Sequence, residues 1–226
     1  MIFSGFIFDI EGTLVDCVPH TLKSLQEALK ERGHAVSYET LQLYSGLDGD
    51  ETLKLVAPSF KEDERKQMLK DAGKYYEQSY LASVRPFAGV RALFTAIKQG
   101  GGAIALATDC KGAPLKVYRD LLGVDDLVDY IACGDDIPKG KPDPAVIDLA
   151  VKKLGLPAGR CVMTGDTPYD CAAAAAAGVT AVGLLSGGFA RDALLEAGAI
   201  DVLEQITELE GLLFGEDKDP RETRHF

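Results

Sequence analysis

No tryptophan occurs in the sequence, histidine is limited to three positions, and the five cysteines never form a C-x-x-C pair. Cys17, Cys110, Cys133, Cys161 and Cys171 are odd in number and scattered, which excludes a disulfide framework or a thiolate zinc site and points to a reducing cytoplasm. Basic charge is also scarce: 24 lysines and arginines stand against 35 acidic residues, a formal net charge of −11. Such a field repels polyanions, so neither a nucleic acid nor an anionic membrane surface is expected as a partner. A small anion can still bind where cations converge. The N-terminal run MIFSGFIFDI has no basic segment before its short apolar stretch. No later segment offers about 18 uninterrupted apolar residues, so neither export nor a membrane span is expected.

What is present suits one well-cored unit, since hydrophobic residues make up 46% of a 226-residue chain. Short apolar runs rich in β-branched and aromatic residues recur, each followed by a turn signal and a longer helix-compatible segment, the rhythm of an α/β sheet. The strand candidates are Gly5 to Phe8, Ala103 to Ala107, Tyr130 to Cys133, Cys161 to Thr164, Thr180 to Leu184 and Asp201 to Leu203. Several are apolar nearly throughout, as buried parallel strands are.

The stretch from about Asp16 to Arg85 breaks this rhythm and reads as helices. Leu22, Leu25 and Leu29 recur at spacings of three and four, and Met68, Ala72, Tyr75 and Tyr76 do so within a helix from Asp63 to about Leu81. Some 70 helical residues between two strands far exceed a normal crossover, so 16–85 is expected to be an inserted cap, with 1–15 and 86–214 forming the core. The charged run 215–226 is expected to be a frayed tail. Gly100-Gly101-Gly102 precedes a strand instead of following one, so it is no dinucleotide fingerprint and reads as a flexible loop.

Four polar clusters stand just past the C-terminal ends of predicted strands, the edge where open α/β sheets bind ligands. The first is Asp9-Ile10-Glu11-Gly12-Thr13, whose leading carboxylate follows an apolar run and needs a metal or donor to be tolerated there. The second is Thr108-Asp109, where a hydroxyl can donate to a phosphate oxygen or cap the next helix. The third is Gly140-Lys141-Pro142, with a lysine held in a turn and Lys139 as its competitor. In the fourth, Asp166 and Asp170 lie four residues apart, so a helix starting there turns both to one side, as Mg²⁺ ligands or as ordinary helix-start acids.

This order of carboxylates, hydroxyl, lysine and carboxylates resembles the haloacid dehalogenase-like hydrolase superfamily, over Ile2 to roughly Leu213. Arg85-Pro86-Phe87-Ala88-Gly89-Val90 and Gly134-Asp135-Asp136-Ile137-Pro138-Lys139-Gly140-Lys141-Pro142 are most similar to its phosphoglycolate phosphatase and β-phosphoglucomutase branch. The resemblance implies a Rossmann-like parallel sheet with an α-helical cap inserted after the first strand. It implies Asp9 as nucleophile and Glu11 as general acid and base. Thr108, Asp109 and Lys141 would hold phosphate. Mg²⁺ would sit on Asp9, the Glu11 carbonyl and Asp166, with Asp170 nearby. The cap loop Gly46-Leu47-Asp48 would meet the leaving group, although a mere turn between cap helices explains it equally well.

The substrate so implied is a small phosphomonoester, hydrolysed through an aspartyl-phosphate in the cytoplasm; monomer and homodimer both stay open. Glu11 departs from the aspartate usual in that branch, being longer by one methylene, about 1.5 Å, while its reference acidity is nearly the same. Enolase-phosphatase relatives carry a similar Asp-Ile-Glu-Gly-Thr run. The alternatives are a phosphomutase with the same nucleophile and a catalytically weak phosphate-binding or signalling relative.

Overall fold

The computed structural model describes residues 2–214, and the charged run 215–226 lies outside them. Its strands are β1 (Gly5–Phe8), β2 (Val15–Asp16), β3 (Arg85–Pro86), β4 (Ala103–Ala107), β5 (Tyr130–Ala132), β6 (Cys161–Gly165), β7 (Thr180–Leu184) and β8 (Ala199–Leu203). Six of them make one sheet in the order β5-β4-β1-β6-β7-β8, every pairing parallel. The central strand reads Gly-Phe-Ile-Phe and is buried on both faces. Alternation sends Phe6 and Phe8 to one hydrophobic layer and Ile7 to the other. The chain runs outward from β1 to β5 on one side, then crosses to β6 on the other. That reversal leaves a crevice at the carboxyl ends of the middle strands.

The helices are α1 (Val18–Glu31), α2 (Tyr38–Gln42), α3 (Gly49–Val56), α4 (Glu62–Ser79), α5 (Val90–Gln99), α6 (Gly112–Leu122), α7 (Ala145–Leu154), α8 (Pro168–Ala176), α9 (Arg191–Glu196) and α10 (Leu209–Phe214). Helices α5 and α6 cover the layer that holds Phe6 and Phe8, while α7, α8 and α9 cover the other. Between β2 and β3, which pair antiparallel as a two-stranded ribbon, the chain builds four helices around a separate core of Leu22, Leu29, Leu41, Leu53 and Met68. Leu25 and Tyr75 only partly join that core. Tyr76 leaves it altogether and packs into the layer beside β1.

Two sequence-level details change. Strand β8 starts at Ala199 instead of Asp201, and β5 stops at Ala132. The triple glycine is not a loose loop: the Gly101 and Gly102 amides bond back to the Lys98 and Ile97 carbonyls, closing α5 as a helix-end motif. Among the described residues, no helix is long and apolar enough to cross a membrane.

Candidate active site

Phe8 pairs with Leu106 of β4 and with Thr164 of β6. Continuing that register by one residue sets Asp9 beside Ala107 and Gly165. Asp9, Thr108 and Asp166 therefore leave three adjacent strands within about one residue rise, roughly 3.3 Å, of one another. The loop after β5 brings Lys141 to the same edge, where its backbone N–H donates to Asp109 Oδ2 at 2.8 Å. Residues scattered over most of the chain meet because parallel strands all end on one side.

The Lys141 ammonium is buried and bridges two carboxylates, Asp9 Oδ1 at 2.8 Å and Asp170 Oδ1 at 2.6 Å. The other Asp170 oxygen accepts the Thr167 backbone N–H at 3.1 Å and the Thr167 hydroxyl at 2.7 Å. This is a capping box at the start of α8, with Pro168 in the first turn. Asp166 Oδ1 accepts the Thr13 hydroxyl at 2.7 Å, whereas its Oδ2 is buried without a hydrogen-bond partner. Gly12, at φ 81°, makes room for that carboxylate, because a β-carbon there would stand 2.2 Å from Asp166 Oδ2. One oxygen each from Asp9, Asp166 and Asp170 lies within 4.8 Å of the others.

A single buried lysine cannot balance this cluster. Burial raises the Asp9 carboxyl to about 7 even though Lys141 pulls it down. Asp166 is pushed up as well, first by burial and then by Asp170 and Asp9. Burial works against the Lys141 charge, yet Asp170 and Asp9 hold its pKa well above the ordinary lysine value. The site thus combines surplus negative charge, three convergent carboxylates and an orphaned carboxylate oxygen. Such a set of hard oxygen donors fits Mg²⁺.

Asp9, Thr108, Lys141, Asp166 and Asp170 line the floor of a cavity of about 390 Å³, and Gly46, Leu47 and Asp48 come down on it from the cap. Gly46, at φ 85°, lies so close to the core that a β-carbon would stand 2.6 Å from Thr167 Cγ2. Asp48 also caps α3, accepting the Asp50 N–H at 2.9 Å. The Thr108 hydroxyl accepts the Cys110 N–H at 3.1 Å and keeps its own proton free to donate. The Asp109 side chain serves the Lys141 turn with Oδ2, and its Oδ1 is buried without a partner. This side chain thus braces the Lys141 loop.

Glu11 also lines the cavity, but its side chain is not among the three clustered carboxylates. The strand ends at Phe8, so parity along a strand does not govern residue 11, which instead sits in a turn bridged to Val15. Burial raises the Glu11 carboxyl, and Tyr118 donates to its Oε1 at 3.2 Å. Lys139 is no rival to Lys141: it is 71% exposed and faces Asp143 at 4.0 Å. His20 stacks on Tyr80, and His34 bonds the Val56 carbonyl, so both serve packing in the cap.

In the sequence Thr13 and Thr167 stand only as members of their clusters, without a role, and nothing singles out Tyr118. Thr167-Pro168-Tyr169-Asp170 is a readable capping box. Tyr118 carries no sequence signal at all, because nothing in an amphipathic helix marks one buried tyrosine as facing a carboxylate about a hundred residues away.

A family model described as "Haloacid dehalogenase-like hydrolase" matches residues 6–184. A phosphoglycolate phosphatase of Rhodospirillum rubrum is 29% identical over 214 residues, covering 90% of this chain and 88% of the relative. One from Nitrosospira multiformis is 32% identical over 181 residues, covering 76% and 78%. A crystal structure of a hydrolase from Pseudomonas syringae superposes with a TM-score of 0.86 at 28% identity, over 92% of this chain and 97% of that one. With its strand-end carboxylates, hydroxyl and lysine, the chain belongs to the haloacid dehalogenase-like hydrolase family, beside the phosphoglycolate phosphatases.

Proposed function

We propose that this hydrolase is a magnesium-dependent phosphatase that cleaves a small phosphomonoester through an aspartyl-phosphate on Asp9. The observation that carries this reading is the position of Asp9: a buried carboxylate on the cavity floor, 2.8 Å from the Lys141 ammonium and grouped with Asp166 and Asp170. The curated relatives named phosphoglycolate phosphatase support it. A small phosphorylated metabolite suits a cavity of about 390 Å³. Five cysteines without a disulfide support the cytoplasm as its compartment.

Asp9 attacks phosphorus in line, the bond from phosphorus to the leaving oxygen breaks, and Glu11 gives that oxygen a proton. Glu11 then takes a proton from water, whose oxygen attacks the same phosphorus; the bond to Asp9 breaks and phosphate leaves. Thr108 donates to a phosphoryl oxygen, and Lys141 offsets charge on Asp9 and the phosphoryl group. Asp170 and Thr167 hold Lys141 in place, and Thr13 holds Asp166. Mg²⁺ held by Asp9, Asp166 and the Glu11 carbonyl, with Asp170 beside them, would supply the positive charge this site lacks.

The test is phosphate release from 4-nitrophenyl phosphate, with and without Mg²⁺, in the parent protein, Asp9→Asn and Glu11→Gln. The parent should need Mg²⁺. Asp9→Asn should lose at least about 1000-fold and Glu11→Gln about 100-fold or more. Parental turnover in Asp9→Asn would sink the nucleophile assignment.

A further inference from the structure

Tyr118 is the largest fully buried side chain among the described residues. A phenylalanine would fill the same volume without a hydroxyl to satisfy, and a buried tyrosine hydroxyl has to find a partner. This hydroxyl reaches the edge of the catalytic cavity, where it donates to Glu11 Oε1 at 3.2 Å, and it lies 2.5 Å from the Tyr76 hydroxyl. Each phenol carries one proton, so with Tyr118 donating to the carboxylate, Tyr76 must donate to Tyr118. The chain of donation therefore runs from Tyr76 to Tyr118 to Glu11.

We propose that Tyr118 is the positioning residue that lets glutamate do the proton transfer at position 11, and that Tyr76 ties this positioning to a cap helix. This rests on the phosphatase reading above. The length of the side chain is the first support. An aspartate at position 11 would hold its oxygen about 1.5 Å farther from Tyr118, beyond hydrogen-bond range. The extra methylene and the buried hydroxyl thus belong together. One carboxylate oxygen is thereby tethered, and the residue lines the cavity where its carboxyl can pass a proton to the leaving oxygen or take one from water.

The second support is where Tyr76 sits. It belongs to α4, whose Met68 and Ala72 lie in the cap core, yet its own ring packs among the residues beside β1. A cap helix thus reaches across the ribbon into the main body and ends on the hydroxyl that holds Glu11. Burial pushes both phenols well above the ordinary tyrosine range, so both stay protonated donors.

The experiment measures kcat and KM for Y118F, Y76F, E11D and the E11D/Y118F double variant, with saturating Mg²⁺, on 4-nitrophenyl phosphate and on phenyl phosphate. The 4-nitrophenolate leaves with little proton help, whereas phenolate needs it. Y118F should lower kcat/KM for phenyl phosphate about ten-fold more than for 4-nitrophenyl phosphate, with KM nearly unchanged. Y76F should do the same at about a third of that size. In the E11D background, Y118F should change neither ester. The proposal is overturned if Y118F affects both esters alike, if it acts equally in the two backgrounds, or if neither phenol matters. Y76F reads the same chain from its other end should Y118F fold poorly. Asp9→Asn separates the failures: if it retains activity, the phosphatase reading falls; if it is inactive while both phenol variants behave as the parent, only the positioning role falls.

Discussion

The acidic residues of the cap and those at the sheet edge are the same chemical groups in opposite circumstances. In the cap, Asp71 lies 2.6 Å from Arg32 and Asp50 lies 2.7 Å from Arg65, with the two carboxylates 23% and 30% exposed. Both are held below the ordinary carboxylate value, Asp71 at about 2, chiefly by hydrogen bonds from their arginines. At the sheet edge Asp9 and Asp166 are buried and are raised by burial instead, and Asp9 shares Lys141 with Asp170. Cap carboxylates are comfortable as anions and help to join α1 and α3 to α4. The sheet-edge carboxylates sit where the isolated fold would be better without them. Groups kept at a loss of stability are kept for chemistry, and the direction of the shift separates the two classes here.

The largest effect expected from disturbing this contrast is in Lys141→Met. Losing the cation that bridges Asp9 and Asp170 should lower turnover at least about 100-fold. It should also destabilise the fold by about 3 kcal/mol at pH 8, as when one partner of a buried pair is removed. At pH 5.5 the loss should shrink, since Asp9 can then take up a proton. Urea melts at the two pH values measure this, and a loss independent of pH would break the contrast.

Next in size is the pH dependence of the unmutated protein. For Asp9 the folded-state value, about 7, lies above the ordinary aspartate value of 3.8. The folded state therefore binds the proton more tightly, and metal-free stability should be highest below pH 3.8 as far as this group is concerned, falling until about pH 7. Bound Mg²⁺ offsets the same charge, so the rise in Tm on adding MgCl2 should be larger at pH 8 than at pH 5. Thermal melts with and without the salt decide the matter; equal shifts at both pH values would contradict it.

Asp71→Asn should have the smallest effect. With the folded value at about 2 and the ordinary aspartate value at 3.8, Asp71 contributes stability that is present above pH 3.8 and lost as pH falls through about 2. Its removal should leave turnover unchanged and slightly lower the melting temperature at neutral pH, with no difference near pH 2. A clear drop in turnover would show that the cap's ion pairs are not separate from the site.

Periodicity and composition alone determine much of this protein. Apolar runs such as Gly5 to Phe8 and Thr180 to Leu184 mark buried strands, because a strand covered on both faces has no place for polar residues. The break in rhythm after Asp16 marks the helices that follow. Because parallel strands all point one way, an acid or hydroxyl just past such a run must arrive at the common edge, which made Asp9, Thr108 and Asp166 legible as a group. Strand ends drift by a residue or two, as at Ala199 and Ala132, because they are set by neighbouring strands instead of local preference.

What only the tertiary structure decided is who touches whom once the chain is packed. It assigned Lys141 to Asp9 and Asp170 and left Lys139 exposed. It turned the Asp109 side chain to the Lys141 amide and set Tyr118 and Tyr76 behind Glu11. Periodicity reports which side of an element is buried, averaged over many residues; a hydrogen bond between Tyr118 and Glu11 depends on the packing of α6 against the sheet to within about an ångström. That precision exists only after the whole core has closed.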